Sequence, residues 1–163
     1  MAALKEYESI SANLNAFLDL IAYSEGTAHI GDQDGYNVLV GSTPKHPILF
    51  DDYSHHPNIL NHALDSTAAG RGQIIHGTWE RVAAKLGLRD FGPENQDRAM
   101  RELVKERGAL EDVEAGRIAD AIHKCCEEWA SFPGGDSGQH ENQLDTLLAT
   151  YRTLGGTIAA EAS

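Results

Sequence analysis

A glutamate that ends an apolar helix can keep a proton at neutral pH, and Glu25 occupies such a position. It lies one helical turn beyond Ile21, on the side that carries Leu14, Phe17 and Leu18, just before Gly26 opens the chain into a loop. A carboxyl leaning on apolar neighbours resists ionisation, so its pKa should rise toward neutrality. Glycosidic cleavage needs a donor of this kind for the leaving oxygen. Position alone also fits an ordinary solvated glutamate, although a negative charge at a helix C-terminus is mildly unfavourable.

Other residues could carry different chemistry. Asp32, Asp34, Asp51 and Asp52 could each supply a second carboxylate for hydrolysis, or serve as turn residues. His46, His55, His56, His62 and His76 fall in one stretch near Asp51 and Asp52, but their spacing matches no HExxH or Cys/His pattern. They read as surface loop histidines, and no metal or cofactor is expected. Cys125 and Cys126 are adjacent, a poor geometry for a disulfide, and are expected to be buried thiols.

The elements that must position these groups follow from the hydrophobic pattern. Ser9 and Ser11 are cap-competent, and Leu14, Phe17, Leu18 and Ile21 recur at helical spacing, which predicts an amphipathic helix ending at Gly26. Residues 26–66 are rich in Gly, Asp, His and Pro. They carry one β-prone run, Tyr36 to Gly41, preceded by a Gln33-Asp-Gly35 turn signal, so a small sheet with long loops is expected there. Helical spacing returns at Thr78–Leu86, from Pro93 to Gly108, from Gly116 to Trp129 and from Gln139 to Leu154. The sum is an α+β chain, mainly helical with one small antiparallel sheet, reading as a single domain over 1–163 with flexible ends at 1–10 and 158–163.

Composition narrows the function. Of 163 residues, 41% are apolar, enough for one core. Thirteen basic against 25 acidic residues leave a net charge of −12, which argues against nucleic acid as a partner. No run reaches the ~18 apolar residues of a membrane span, so no membrane insertion is expected. The N-terminus lacks a secretory pattern, which predicts synthesis in the cytoplasm.

The segment Ala16-Phe-Leu-Asp-Leu-Ile-Ala-Tyr-Ser-Glu-Gly-Thr27 closely resembles the catalytic helix of lambda-type phage endolysins. Similar blocks follow in order: Gly35-Tyr-Asn-Val-Leu-Val-Gly41, Asp52-Tyr-Ser-His-His-Pro57, Ser66-Thr-Ala-Ala-Gly-Arg-Gly-Gln73, Leu86-Gly-Leu-Arg-Asp-Phe91, Lys105-Glu-Arg-Gly-Ala-Leu110 and Trp129-Ala-Ser-Phe-Pro-Gly-Gly-Asp-Ser-Gly-Gln139. The resemblance covers about residues 15–157 and implies a lysozyme-like fold acting on the peptidoglycan glycan strand. It implies that Glu25 is the catalytic acid, with Ser24, Tyr36, Asn37, Thr67, Arg71, Gln73 and Gln139 at the substrate groove. Gln73 could meet a sugar N-acetyl group or Glu25, or make a structural bond, and Thr67 could touch sugar or cap a turn. Arg71 could meet a peptide carboxylate or brace a loop acid such as Asp65.

The family's chemistry is lytic transglycosylation, which leaves a 1,6-anhydro ring on N-acetylmuramic acid. A water-using muramidase with an aspartate from 32–52, or a glycan-binding domain with weakened turnover, are the alternatives. The resemblance further implies a monomer released to the periplasm through a holin lesion. Three positions depart from the family pattern: Gly72 and Ser137, where a tyrosine is expected, and Asn37, where an aspartate is expected.

Overall fold

In the computed structural model, residues 10–135 and 142–160 are described. Helix α1 (Ala12–Glu25) begins where the Ser11 hydroxyl accepts from the Leu14 N–H at 2.9 Å. It ends where Gly26, at φ +82°, turns its N–H back to the Tyr23 carbonyl. Sequence periodicity predicts a single buried stripe, yet Ala16 through Ala22 and Ser24 are all buried, apart from a half-buried Tyr23. The reason is position: α1 is the central helix, with α3 (Pro93–Glu106), α4 (Leu110–Ala115) and α6 (Leu144–Thr153) packed around it.

The remaining helices are α2 (His76–Leu86) and α5 (Ile118–Cys125). Phe91, between α2 and α3, is fully buried and gathers three rings: Trp79 at 4.7 Å, His56 at 4.9 Å and Phe50 at 5.9 Å. His56 therefore departs from the expected surface histidines. Its Nδ1 accepts from the Asn58 N–H, which leaves Nε2 to donate to the Ile74 carbonyl at 2.8 Å. Burial pushes its pKa down, as a neutral core ring requires. Cys125 and Cys126 are free and buried, and burial pushes the Cys125 thiol up to about 12.

The small sheet is reduced to antiparallel bridges. Residues 38–39 sit between two neighbours, with Val38 opposite Leu49 and Leu39 opposite Ala69, and Ala69 also pairs with Ile74. The bonds from Leu39 N to Ile48 O, Phe50 N to Asn37 O and Gly70 N to Val38 O, all 2.8–2.9 Å, hold these segments together. The Asp-Gly signal is a turn as expected: Asp34 and Gly35 both have positive φ, and the Tyr36 N–H reaches the Gln33 carbonyl. It joins no strand pair, because Gly35 packs against the Thr27 backbone instead, so closely that a Cβ there would fall 2.7 Å from the Thr27 oxygen. Past the Gly155-Gly156 stop, Ile158 packs on the core and the Ala159 N–H bonds Gly116 O. None of the described helices is long and apolar enough to cross a membrane.

Candidate active site

Glu25 ends α1 with part of its surface still open, yet protein encloses it closely enough to push its carboxyl up to about 7. Loss of hydration is the larger cause, and the Ser131 hydroxyl, hydrogen-bonding the carboxyl, opposes it. A group near pH 7 exists in both forms in comparable amounts, so it can give a proton and later take one. Ser24, the preceding residue, is buried, and its hydroxyl lies 2.7 Å from that of Ser131. The Asn142 side-chain amide donates to the Ser24 carbonyl and hydroxyl, while its backbone N–H bonds Ser131 O. A hydroxyl and an amide from segments more than 100 residues away thus meet at Ser24, the neighbour of Glu25. Sequence spacing gave no signal for Ser131 or Asn142, because neither belongs to a local pattern with Glu25.

The residues that the resemblance assigns to the groove take several positions. Arg71 is 3% exposed; its Nη2 pairs with Asp19 at 2.9 Å and its Nε bonds Asp34 O at 2.9 Å. It braces the central helix and not Asp65, because the loop turns the guanidinium inward over the Tyr36 ring. Tyr36 is buried, and its hydroxyl donates to both carboxylate oxygens of Asp97 at 3.0 Å. Thr67 accepts the His76 N–H at 2.9 Å and so caps α2, where Ile75 offers no side-chain cap. Asn37 is 3% exposed, with a buried Oδ1 that has no partner among the described residues. A carboxylate in its place would put a charge where hydration is absent, which accounts for the neutral residue. Gln73 stands in the left-handed region at φ +49° and donates to the Gly70 and Val38 carbonyls. Its Oε1 accepts nothing among the described residues, so it remains available to a ligand N–H. Gln139 and Ser137 lie outside the described residues.

Sequence reading missed the clasp that holds this loop. Gln96, buried in α3, accepts the Arg71 N–H and donates to Tyr36 O and Phe91 O. Its side chain fills the space a Cβ on Gly70 would need, and φ there is +82°.

Gly72 has a comparable explanation. A Cβ at this residue would sit 2.9 Å from Cγ of the fully buried Met100, and the Gly72 carbonyl accepts the Trp129 indole N–H at 2.8 Å. The glycine where a tyrosine is expected is thus paired with a bulky methionine behind it. Gly72→Ala should cost about 1–3 kcal/mol through overpacking, and adding Met100→Ala should recover part of that cost. Urea unfolding of the single and double variants checks this; additive losses would show that the two sites do not share the space. Beside Gly72 and Gln73 lies a cleft of about 290 Å³ walled by Ile75, Thr78, Glu128 and Trp129. Larger hollows of 500 and 580 Å³ are lined by α2 and α3 residues with Ser54, and Glu25 is not among their walls.

A mainly helical chain with short antiparallel bridges, whose central helix ends in a carboxyl of raised pKa, has the features of a lysozyme-like fold. The endolysin family profile matches residues 15–158. The endolysins of Escherichia phage lambda and Escherichia phage P2 are each 43% identical, over 91% and 90% of this chain and 95% of theirs. The solved lysozyme of bacteriophage lambda in complex with a chitohexasaccharide superposes with a TM-score of 0.86 at 41% identity. That match covers 93% of this chain and 99% of the other. A second lambda lysozyme structure gives a TM-score of 0.82 at 40% identity. The chain belongs to the endolysin family of peptidoglycan-degrading phage enzymes.

Proposed function

We propose that this endolysin cleaves the β-1,4 bond between N-acetylmuramic acid and N-acetylglucosamine by lytic transglycosylation. The observation that carries the proposal is the Glu25 carboxyl, poised at about 7 by burial and the Ser131 hydroxyl. Glu25 protonates the oxygen leaving C1 of the muramic residue, and the C1–O bond breaks. As a carboxylate it then takes the proton from that sugar's C6 hydroxyl, whose oxygen bonds C1 and closes the anhydro ring. Glu25 ends as it began, and no water is consumed. An intramolecular nucleophile gains up to ~7–11 kcal/mol from effective molarity in good geometry, so one carboxyl suffices. The saccharide bound by the lambda lysozyme, at 41% identity, supports a β-1,4 glycan as the ligand here.

Gln73, with its unused Oε1, is the residue of the 67–73 loop that would receive a sugar N-acetyl N–H. Ser24 would act from behind Glu25. Within this reading the enzyme is a monomer made in the host cytoplasm, and it reaches the periplasm through a holin lesion.

Mass spectrometry of digested glycan strands tests the chemistry. Anhydro-muramyl ends are expected. Reducing ends throughout would replace the proposal with a water-using muramidase, and intact strands would leave a glycan-binding domain.

A further inference from the structure

We propose that Asn142, Ser24 and Ser131 form a directional chain of hydrogen-bond donors that ends on Glu25, holding its carboxyl in place and stabilising its ionised form. The direction follows from atom types. Ser24 O is a carbonyl and can only accept, so the Asn142 atom 3.1 Å away must be the nitrogen of the amide. The same nitrogen is 3.0 Å from Ser24 Oγ, so that hydroxyl accepts from Asn142. Either hydroxyl of the 2.7 Å Ser24–Ser131 pair could donate. An ionised Glu25, which can only accept, takes the Ser131 proton and so leaves Ser24 as the donor to Ser131 Oγ. Ser131 in turn gives its proton to Glu25.

Each link leaves the next oxygen a better donor, so the chain favours the carboxylate. The backbone bond from Asn142 N to Ser131 O, at 2.8 Å, fixes the two ends of the chain relative to each other. Among the described residues, burial and the Ser131 hydroxyl are the influences on Glu25. Without the chain the carboxyl would hold its proton more tightly and give it less readily to the leaving oxygen. Ser24, Ser131 and Asn142 are positioning residues, acting through Glu25.

The inference rests on the proposed role of Glu25, and its test reads the carboxyl directly. Glutamate labelled with ¹³C at the side-chain carboxyl is titrated by NMR in the full-length protein and in Ser131→Ala, Ser131→Thr and Asn142→Ala. Ser131→Ala should raise the Glu25 titration midpoint by roughly one pH unit, the size expected for a hydrogen bond to a charged group. Ser131→Thr should restore it, and Asn142→Ala should move it in the same direction by less. On glycan strands, kcat of Ser131→Ala should fall about tenfold with KM little changed, and the alkaline limb of its rate profile should follow the midpoint. An unmoved midpoint in folded Ser131→Ala, or equal shifts in the Ala and Thr variants, would overturn the chain. A moved midpoint with an unmoved rate profile would keep the chain and remove Glu25 as the proton donor.

Discussion

Glu25→Gln clears no peptidoglycan and is more stable than the wild type above neutral pH. The loss of activity should exceed about 10³-fold, because the variant lacks both the donor and the base, and either role alone contributes roughly 10²–10⁴. The gain in stability follows from the same burial. The Glu25 carboxyl has a folded pKa of about 7 against an ordinary value of 4.5. A carboxyl raised on folding binds more protons in the native state, so stability falls as pH climbs from the unfolded value through the folded one. At pH 8 that penalty amounts to at most about 3 kcal/mol, and glutamine does not incur it. Urea unfolding at pH 4 and pH 8 should show equal stabilities at the lower pH and an advantage for Glu25→Gln at the higher. A variant that still clears the wall at the wild-type rate would refute the assignment. Equal stability at both pH values would show that Glu25 is hydrated.

Asp19→Ala is the most damaging single change expected outside the active residue. It removes the carboxylate from a guanidinium that is 3% exposed and already has one nitrogen, Nη1, with no partner among the described residues. Breaking a buried pair from one side typically costs about 3–5 kcal/mol, because the remaining charge can neither hydrate nor neutralise. A domain of this size has roughly 5–15 kcal/mol in total, so much of its stability would go. Removing both charges, in Asp19→Leu with Arg71→Met, should recover most of the loss. Denaturant melts of the three variants separate the pair's role from simple packing. A loss below about 1 kcal/mol in Asp19→Ala would mean that the ion pair is solvated.

Local signals in this sequence were readable, and long-range ones were not. The end of α1 at Glu25 and its glycine stop follow from helical period and C-cap chemistry, and both are observed. The sites bound by partners distant in sequence were hidden. Gln96 and Asp97 are polar residues of α3 that periodicity would turn outward, yet they are buried because Arg71 and Tyr36 need them. Helix α4 has no counterpart in the sequence reading, since its six residues carry too little periodicity to read. The β-prone run at 36–41 found its partners, but loops on both sides limit the pairing to single bridges. Ser131 carries no local signal of its role, because its partners Ser24 and Glu25 come from the far end of the chain.

The pH dependence of kcat/KM on purified glycan strands reports the free enzyme's proton donor most directly. A donor must be protonated to act, so the rate should fall as pH rises, with a midpoint at about 7. A rate that stays level through pH 9 would contradict the account, because Glu25 would then be working without the proton that the mechanism requires.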